Sequence, residues 1–215
     1  MLNDLSLTDF TDLLASSAPA PGGGSTAALA GALASALSIM VYSLTTGKKA
    51  YSELDSQIKQ QMALDYQVLG GLKQELIGLV EEDTRAFNQV MEALRLPRQT
   101  DAEKAWRVER LQAANRYAAQ VPLLVAQKCL ALLQHQANIA CHGNGSAVSD
   151  IGVGALLAYT GLESAVLNVR INLPGLEEEA RQQLTGACKL LLEEGLWLKE
   201  QIMGTIERRM ESILG

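Results

Sequence analysis

A chain of 215 residues is about one domain's length, and 48% apolar with 20% charged residues supplies ample material for a buried core. That composition excludes intrinsic disorder, and a net charge of −6 with no Lys/Arg-rich run lacks the basic stripe that nucleic-acid binding requires. Ala and Leu dominate while aromatics are only 4%, which favours helices over strands.

Ser6-Leu7-Thr8-Asp9 is a helix-start signature and predicts a short helix from Leu7 to Ser17. The breaker run Ala18 to Gly24 ends it. Ser25 is then placed to cap a long helix reaching to near Gly47. Pro21 to Gly47 carries no charge and is long enough to span a bilayer core of about 30 Å. Its wealth of Ala, Gly, Ser and Thr fits the centre of a bundle better, and no second spanning segment is expected after it, so a membrane is not an expected partner. A third helix is predicted from Ser52 to Leu94, stopped by Pro97, with Gly70-Gly71 as a bend. Thr100-Asp101-Ala102-Glu103 opens another helix to about Ala140, kinked at Pro122. After the loop His142 to Ser146 comes a helix with Ser149 and Asp150 in its first turn, reaching Asn172. Beyond Pro174-Gly175 a last helix runs from Leu176 to Ile213. No period-2 alternation or repeat occurs. The expected fold is all-α: one domain, 1–215, a bundle of five to seven long, mostly antiparallel helices.

The cysteines Cys129, Cys141 and Cys188 are odd in number and widely spread, and read as buried small hydrophobes rather than a disulfide framework or zinc site. Met1-Leu2-Asn3-Asp4 carries acid where a secretory signal carries positive charge, so a cytoplasmic protein is expected. His135 and His142 have no carboxylate or Cys at ligand spacing, so no metal site is expected.

Three stretches can carry chemistry. Gly22-Gly23-Gly24 leaves backbone N–H groups uncovered just before a helix, which suits an anion or carbonyl group; a flexible linker with a capped helix is the bland alternative. Asp83 falls on the face of Leu76, Leu79, Val80, Phe87, Val90 and Leu94. A carboxylate on such a seam is desolvated and its pKa rises toward the range useful for proton transfer; a structural ion pair with a neighbouring helix explains it equally well. Asn144 to Asp150 is a turn before a helix, with ordinary capping as its alternative. Asn168 and Asn172 add two amides to an inward stripe, and Lys48-Lys49 follow the uncharged helix, either complementing its dipole or receiving an anionic substrate.

Pro21-Gly22-Gly23-Gly24-Ser25, Gly47-Lys48-Lys49, Asp83-Thr84-Arg85-Ala86-Phe87, Gly143-Asn144 with Ser149-Asp150, and Asn168-Val169-Arg170-Ile171-Asn172-Leu173 follow one another in this order. The series resembles the cyclodeaminase domain of the formiminotransferase-cyclodeaminase family and its stand-alone bacterial relatives, some of them methenyltetrahydrofolate cyclohydrolases. The resemblance covers essentially the whole chain. It implies an all-helical homodimer acting on a tetrahydrofolate derivative, polyglutamylated or not, with no further cofactor and with any formiminotransferase activity on a separate chain. It also implies roles. Asp83 aligns with the family's proposed proton acceptor, taking the N10 proton as N10 adds to the amidine carbon of 5-formiminotetrahydrofolate and ammonia leaves. Gly22, Gly23, Gly24 and Ser25, the turn Asn144 to Asp150 with Ser149, and Asn168 would hold the pterin and one-carbon unit, and Lys48 the glutamate tail. A cyclohydrolase would use the same site with water attacking the methenyl carbon. A non-catalytic helical scaffold is the reading of another class, supported by the long amphipathic helices. The enzyme reading requires Asp83 to be buried in a cleft beside the glycine loop.

Overall fold

The computed structural model describes residues 1–214, without the Leu214 side chain, and contains seven α-helices and no strand among them. They are α1 (Leu7–Leu14), α2 (Gly23–Thr46), α3 (Lys49–Ser52), α4 (Ser56–Arg95), α5 (Asp101–His142), α6 (Val148–Asn172) and α7 (Glu178–Leu214). The start signals act locally. The Ser6 side chain accepts the Asp9 N–H, Asp55 caps α4, and Thr100 with Glu103 forms a reciprocal capping box.

Several sequence expectations need correction. α1 stops three residues short of Ser17, at Leu14. The uncharged helix begins at Gly23 with Gly22 as its N-cap residue, so Ser25 lies inside it and caps nothing. Lys49–Ser52 forms a turn of its own, and α4 begins only at Ser56. As expected, α5 runs on past Pro122, which lies buried inside it and leaves one backbone donor missing. α6 as well as α2 is long and apolar enough to cross a membrane; its three charges are spaced so widely that an 18-residue window escapes most of them. About half of each such window is buried against other helices.

α2 and α6 form the centre and run antiparallel. Gly161 of α6 lies against the Ala27 carbonyl and Gly31 of α2, and Gly154 against the Ala34 carbonyl and Ser38. α4 flanks α2 on one side, where Ser35 Oγ donates to the Leu69 carbonyl at 2.6 Å. α5 packs across α4 and α6, and α7 covers α5 and α6. A Cβ on Gly31 would stand 2.7 Å from Cys129 Sγ, and one on Gly161 would stand 2.9 Å from it. The three backbones of α2, α5 and α6 approach that closely only because small residues meet there. Cys129 and Cys188 are buried as expected, and burial pushes the Cys129 thiol up to about 12; Cys141 is exposed instead, on the last turn of α5.

Candidate active site

The glycines Gly22 to Gly24 bring the chain into α2 at one end of the bundle. Gly22 is extended and offers no side-chain cap, so the first N–H groups of α2 lack a hydroxyl or carboxylate from the residue before the helix. One of them is taken from another helix. The Ser25 N–H donates to Asp83 Oδ2 at 2.8 Å. Ser25 Oγ lies 3.0 Å from the same oxygen and 2.9 Å from the Val80 carbonyl, so its single proton serves one of the two at a time. The other carboxylate oxygen, Oδ1, packs on Gly24, where an added Cβ would come within 2.0 Å of it. Gly24 is therefore a steric requirement of the carboxylate's position.

Asn168, near the C-terminal end of α6, completes the arrangement. Its amide lies where a Cβ on Gly23 would be 3.2 Å away, and its Nδ2 donates back to the Ser164 carbonyl. Asn172 donates to the Ala118 and Asn168 carbonyls. These groups line a cavity of about 350 Å³ whose apolar walls are Pro19, Ala20, Phe87, Val90, Ala118 and Ile171. That size, with a few convergent polar groups on apolar walls, suits a small organic ligand. Among the described residues Asp83 is its one ionisable lining group.

Burial raises the Asp83 pKa above the ordinary carboxylate value, and the hydroxyl and backbone donors of Ser25 hold it partly back. Among the described residues no Lys, Arg or His forms an ion pair with Asp83. Its partners are the two donors of Ser25, so the ion-pair alternative fails. The expected apolar face also changes along α4. Leu76, Leu79 and Val80 are buried, whereas Phe87 and Leu94 are exposed, and Phe87 forms a cavity wall instead of core.

The remaining expected site residues lie elsewhere. Asn144 sits at the opposite end of α2, its N–H donating to Thr45 Oγ1 at 2.8 Å and its Nδ2 to the Leu44 carbonyl. Its Oδ1 accepts the Ser146 N–H, which is the capping alternative. Ser149 and Asp150 occupy the first turn of α6, as expected, but at this far end; Lys48 follows the C-terminus of α2 and is exposed. A 24-residue helix separates the two ends by about 36 Å. Within one chain, Gly22, Gly23, Gly24, Ser25, Asp83 and Asn168 come together, and Lys48, Asn144, Ser149 and Asp150 do not join them.

Sequence reasoning also missed a buried polar cluster. Asp65, almost fully buried on α4, accepts from His135 Nδ1 and Asn138 Nδ2 at 2.9 Å each and from Gln61 Nε2 at 3.1 Å. His135 thus has a carboxylate partner 70 residues away in the chain. The polar position between Met62 and Leu69 on a buried face was the available signal.

A family model described as formiminotransferase-cyclodeaminase matches residues 6–188. The chain belongs to the formiminotransferase-cyclodeaminase family. Relatives of this family include the methenyltetrahydrofolate cyclohydrolase of Methylorubrum extorquens, 40% identical over 98% of this chain and 100% of that protein. The formimidoyltransferase-cyclodeaminase of Gallus gallus is 34% identical over 88% of this chain, which corresponds to 35% of that longer protein. The crystal structure of formiminotetrahydrofolate cyclodeaminase from Thermotoga maritima superposes with a TM-score of 0.78 at 28% identity, covering 100% of both chains. The cavity shared by the glycine turn, Asp83 and Asn168 is accordingly the candidate active site of a formiminotransferase-cyclodeaminase family chain.

Proposed function

We propose that the chain is a folate one-carbon enzyme, a formimidoyltetrahydrofolate cyclodeaminase that forms 5,10-methenyltetrahydrofolate and releases ammonia at the Asp83 cavity. The observation that carries this is a half-buried carboxylate with no cation beside it among the described residues, held by Ser25 in an apolar cavity opening at an uncapped helix start. In the reaction N10 attacks the formimino carbon attached to N5. A new N10–C bond forms, the N10 proton leaves, and the amidine nitrogen departs as ammonia. Asp83 accepts the N10 proton, for which a carboxylate of raised pKa is better matched than an ordinary one. The Asn168 amide and the free N–H groups of Gly23 and Gly24 supply neutral donors and acceptors for the pterin ring, and the apolar walls hold its aromatic body. Most of their contribution is positioning.

A second reading is favoured by the Methylorubrum relative, which matches at full length on both sides. There the same cavity acts as a methenyltetrahydrofolate cyclohydrolase: Asp83 takes a proton from water as its oxygen adds to the methenyl carbon. The proposal takes no cofactor beyond the folate, a cytoplasmic setting, a homodimer, and a separate formiminotransferase chain to supply the formimino substrate. The test is incubation with 5-formiminotetrahydrofolate and 5,10-methenyltetrahydrofolate separately. Ammonia release with growth of the methenyl absorbance identifies the cyclodeaminase, and loss of that absorbance identifies the cyclohydrolase. The absence of both changes would overturn the folate reading.

A further inference from the structure

The Asp83 cavity has two storeys, and helix direction sets them. α4 runs antiparallel to α2, since Ser35 meets Leu69 while Ser25 meets Asp83. α6 runs antiparallel to α2 as well. The three helices therefore stand in register where α2 starts, with Gly24 against Asp83 and Gly23 against Asn168. Past that level there is no α2, while α4 and α6 continue. Phe87 stands one turn beyond Asp83, about 6 Å further along α4, and Ile171 about 4.5 Å beyond Asn168 along α6. The floor is thus polar, made of the glycine turn, the carboxylate and an amide. The storey above it is apolar, walled by Phe87, Val90, Ile171 and Pro19. Asn172 stands at that height too, but its Nδ2 is already engaged by the Ala118 and Asn168 carbonyls.

The chain has two Phe residues. Phe10 is buried in the core, whereas Phe87 is 37% exposed. Among the described residues Phe87 is the one aromatic lining the cavity, and its ring joins no aromatic pair and no cation. A ring face left open at a cavity wall is free to stack on a ligand ring, with centroids about 4.5–7 Å apart.

A folate has two rings of different character. The pterin carries ring nitrogens, a carbonyl and an amino group along its edge, and suits the polar floor. The p-aminobenzoyl ring has bare carbon faces, and N10 is bonded directly to it. With the pterin on the floor, N5 and N10 meet near Asp83, and the second ring enters the apolar storey.

We propose that Phe87 is the positioning residue for N10: its ring stacks on the p-aminobenzoyl group, with Val90 and Ile171 at the sides, and so sets N10 against the Asp83 carboxylate. This rests on the folate reading and adds to it the direction in which the substrate lies.

The test separates the two rings. Calorimetry measures the binding of p-aminobenzoyl-L-glutamate and of 6-methylpterin to the wild type, Phe87→Leu and Phe87→Tyr. Leu keeps an apolar side chain and loses the ring, while Tyr keeps the ring. Phe87→Leu should weaken p-aminobenzoyl-L-glutamate by about two- to twelvefold, the contribution of an aromatic pair beyond its buried area. It should leave 6-methylpterin unchanged, and Phe87→Tyr should restore wild-type binding. With whichever folate the wild type turns over, Phe87→Leu should raise KM and also lower kcat about tenfold, because a shifted N10 loses its alignment in the transition state. Ile171→Ala, on the α6 wall and 75% exposed, is a second variant and should weaken the same fragment. Weakening of 6-methylpterin by Phe87→Leu, or a raised KM with unchanged kcat, would overturn the assignment. A chain that turns over a folate while both Phe87→Leu and Ile171→Ala keep wild-type affinity for p-aminobenzoyl-L-glutamate fails this inference alone. A wild-type chain that turns over neither folate and binds neither fragment fails the functional reading, and this inference with it.

Discussion

Asp83 Oδ2 accepts the Ser25 backbone N–H at 2.8 Å and lies 3.0 Å from the Ser25 hydroxyl, whose proton it shares with the Val80 carbonyl, while Gly24 leaves no room for a Cβ beside Oδ1. The helix start and the carboxylate thus fix one another across 58 residues of sequence. Gly24 and Ser25 act on the chemistry through Asp83, and each makes a separate prediction.

Gly24→Ala places a methyl group where Asp83 Oδ1 now sits. The far end of a flexible side chain gives way more easily than two packed helices, so the protein should fold with the carboxylate displaced from Ser25. Misplacement of a catalytic group by about 1 Å costs on the order of 10²-fold, and kcat should fall by about that much with a near-normal unfolding midpoint. Steady-state kinetics beside thermal unfolding checks this.

Ser25→Ala removes one donor to the ionised carboxylate and leaves the backbone N–H in place. Burial already raises the Asp83 pKa and the Ser25 donors oppose it, so their partial loss raises it further. The base works only when ionised. The acid limb of the kcat/KM profile should therefore lie above the ordinary carboxylate range in the wild type and move higher still in the variant. A limb that stays in place would remove Asp83 from the ionisation that governs the rate.

Most of the fold was legible because its signals are local. Thr100 and Glu103 announce α5, and α6 ends at Asn172 as the following Pro174 predicts. Ser25 misleads for the same reason. A hydroxyl beside a helix start looks like a cap, and the acceptor that claims it, Asp83, stands on another helix. Lys48 and Asn144 were grouped with the glycine turn because sequence order carries no distance, whereas a straight α2 holds its two ends about 36 Å apart. Phe87 has the spacing of a core residue, and only the end of the bundle, where α2 begins at Gly23, leaves it facing a cavity.

Asp65 offers a test of the buried cluster away from the active site. Asp65→Ala leaves donors of Gln61, His135 and Asn138 facing a void. An unsatisfied buried group costs about 1–3 kcal/mol, so denaturant unfolding should show a loss of at least that size.

Gly71 and Gly78 lie within α4 with nothing within 4 Å of an added Cβ. Gly71→Ala and Gly78→Ala should each stabilise the protein by about 0.5–1 kcal/mol through helix propensity alone, measured by the same denaturant titration.

Asp83→Asn, followed by single-turnover kinetics with both folates and by thermal unfolding of the same preparation, tests the central claim most directly. Asn is nearly isosteric and keeps an oxygen for the Ser25 donors, but it takes up no proton. The chemical step should slow by about 10²–10⁴-fold, the usual contribution of a general base. Stability should not fall at neutral pH. With a folded pKa raised above the unfolded one, ionisation of Asp83 lowers wild-type stability as pH rises through that window, and the neutral variant is spared that loss. A destabilised variant with near-normal turnover would contradict the assignment of Asp83 as the base.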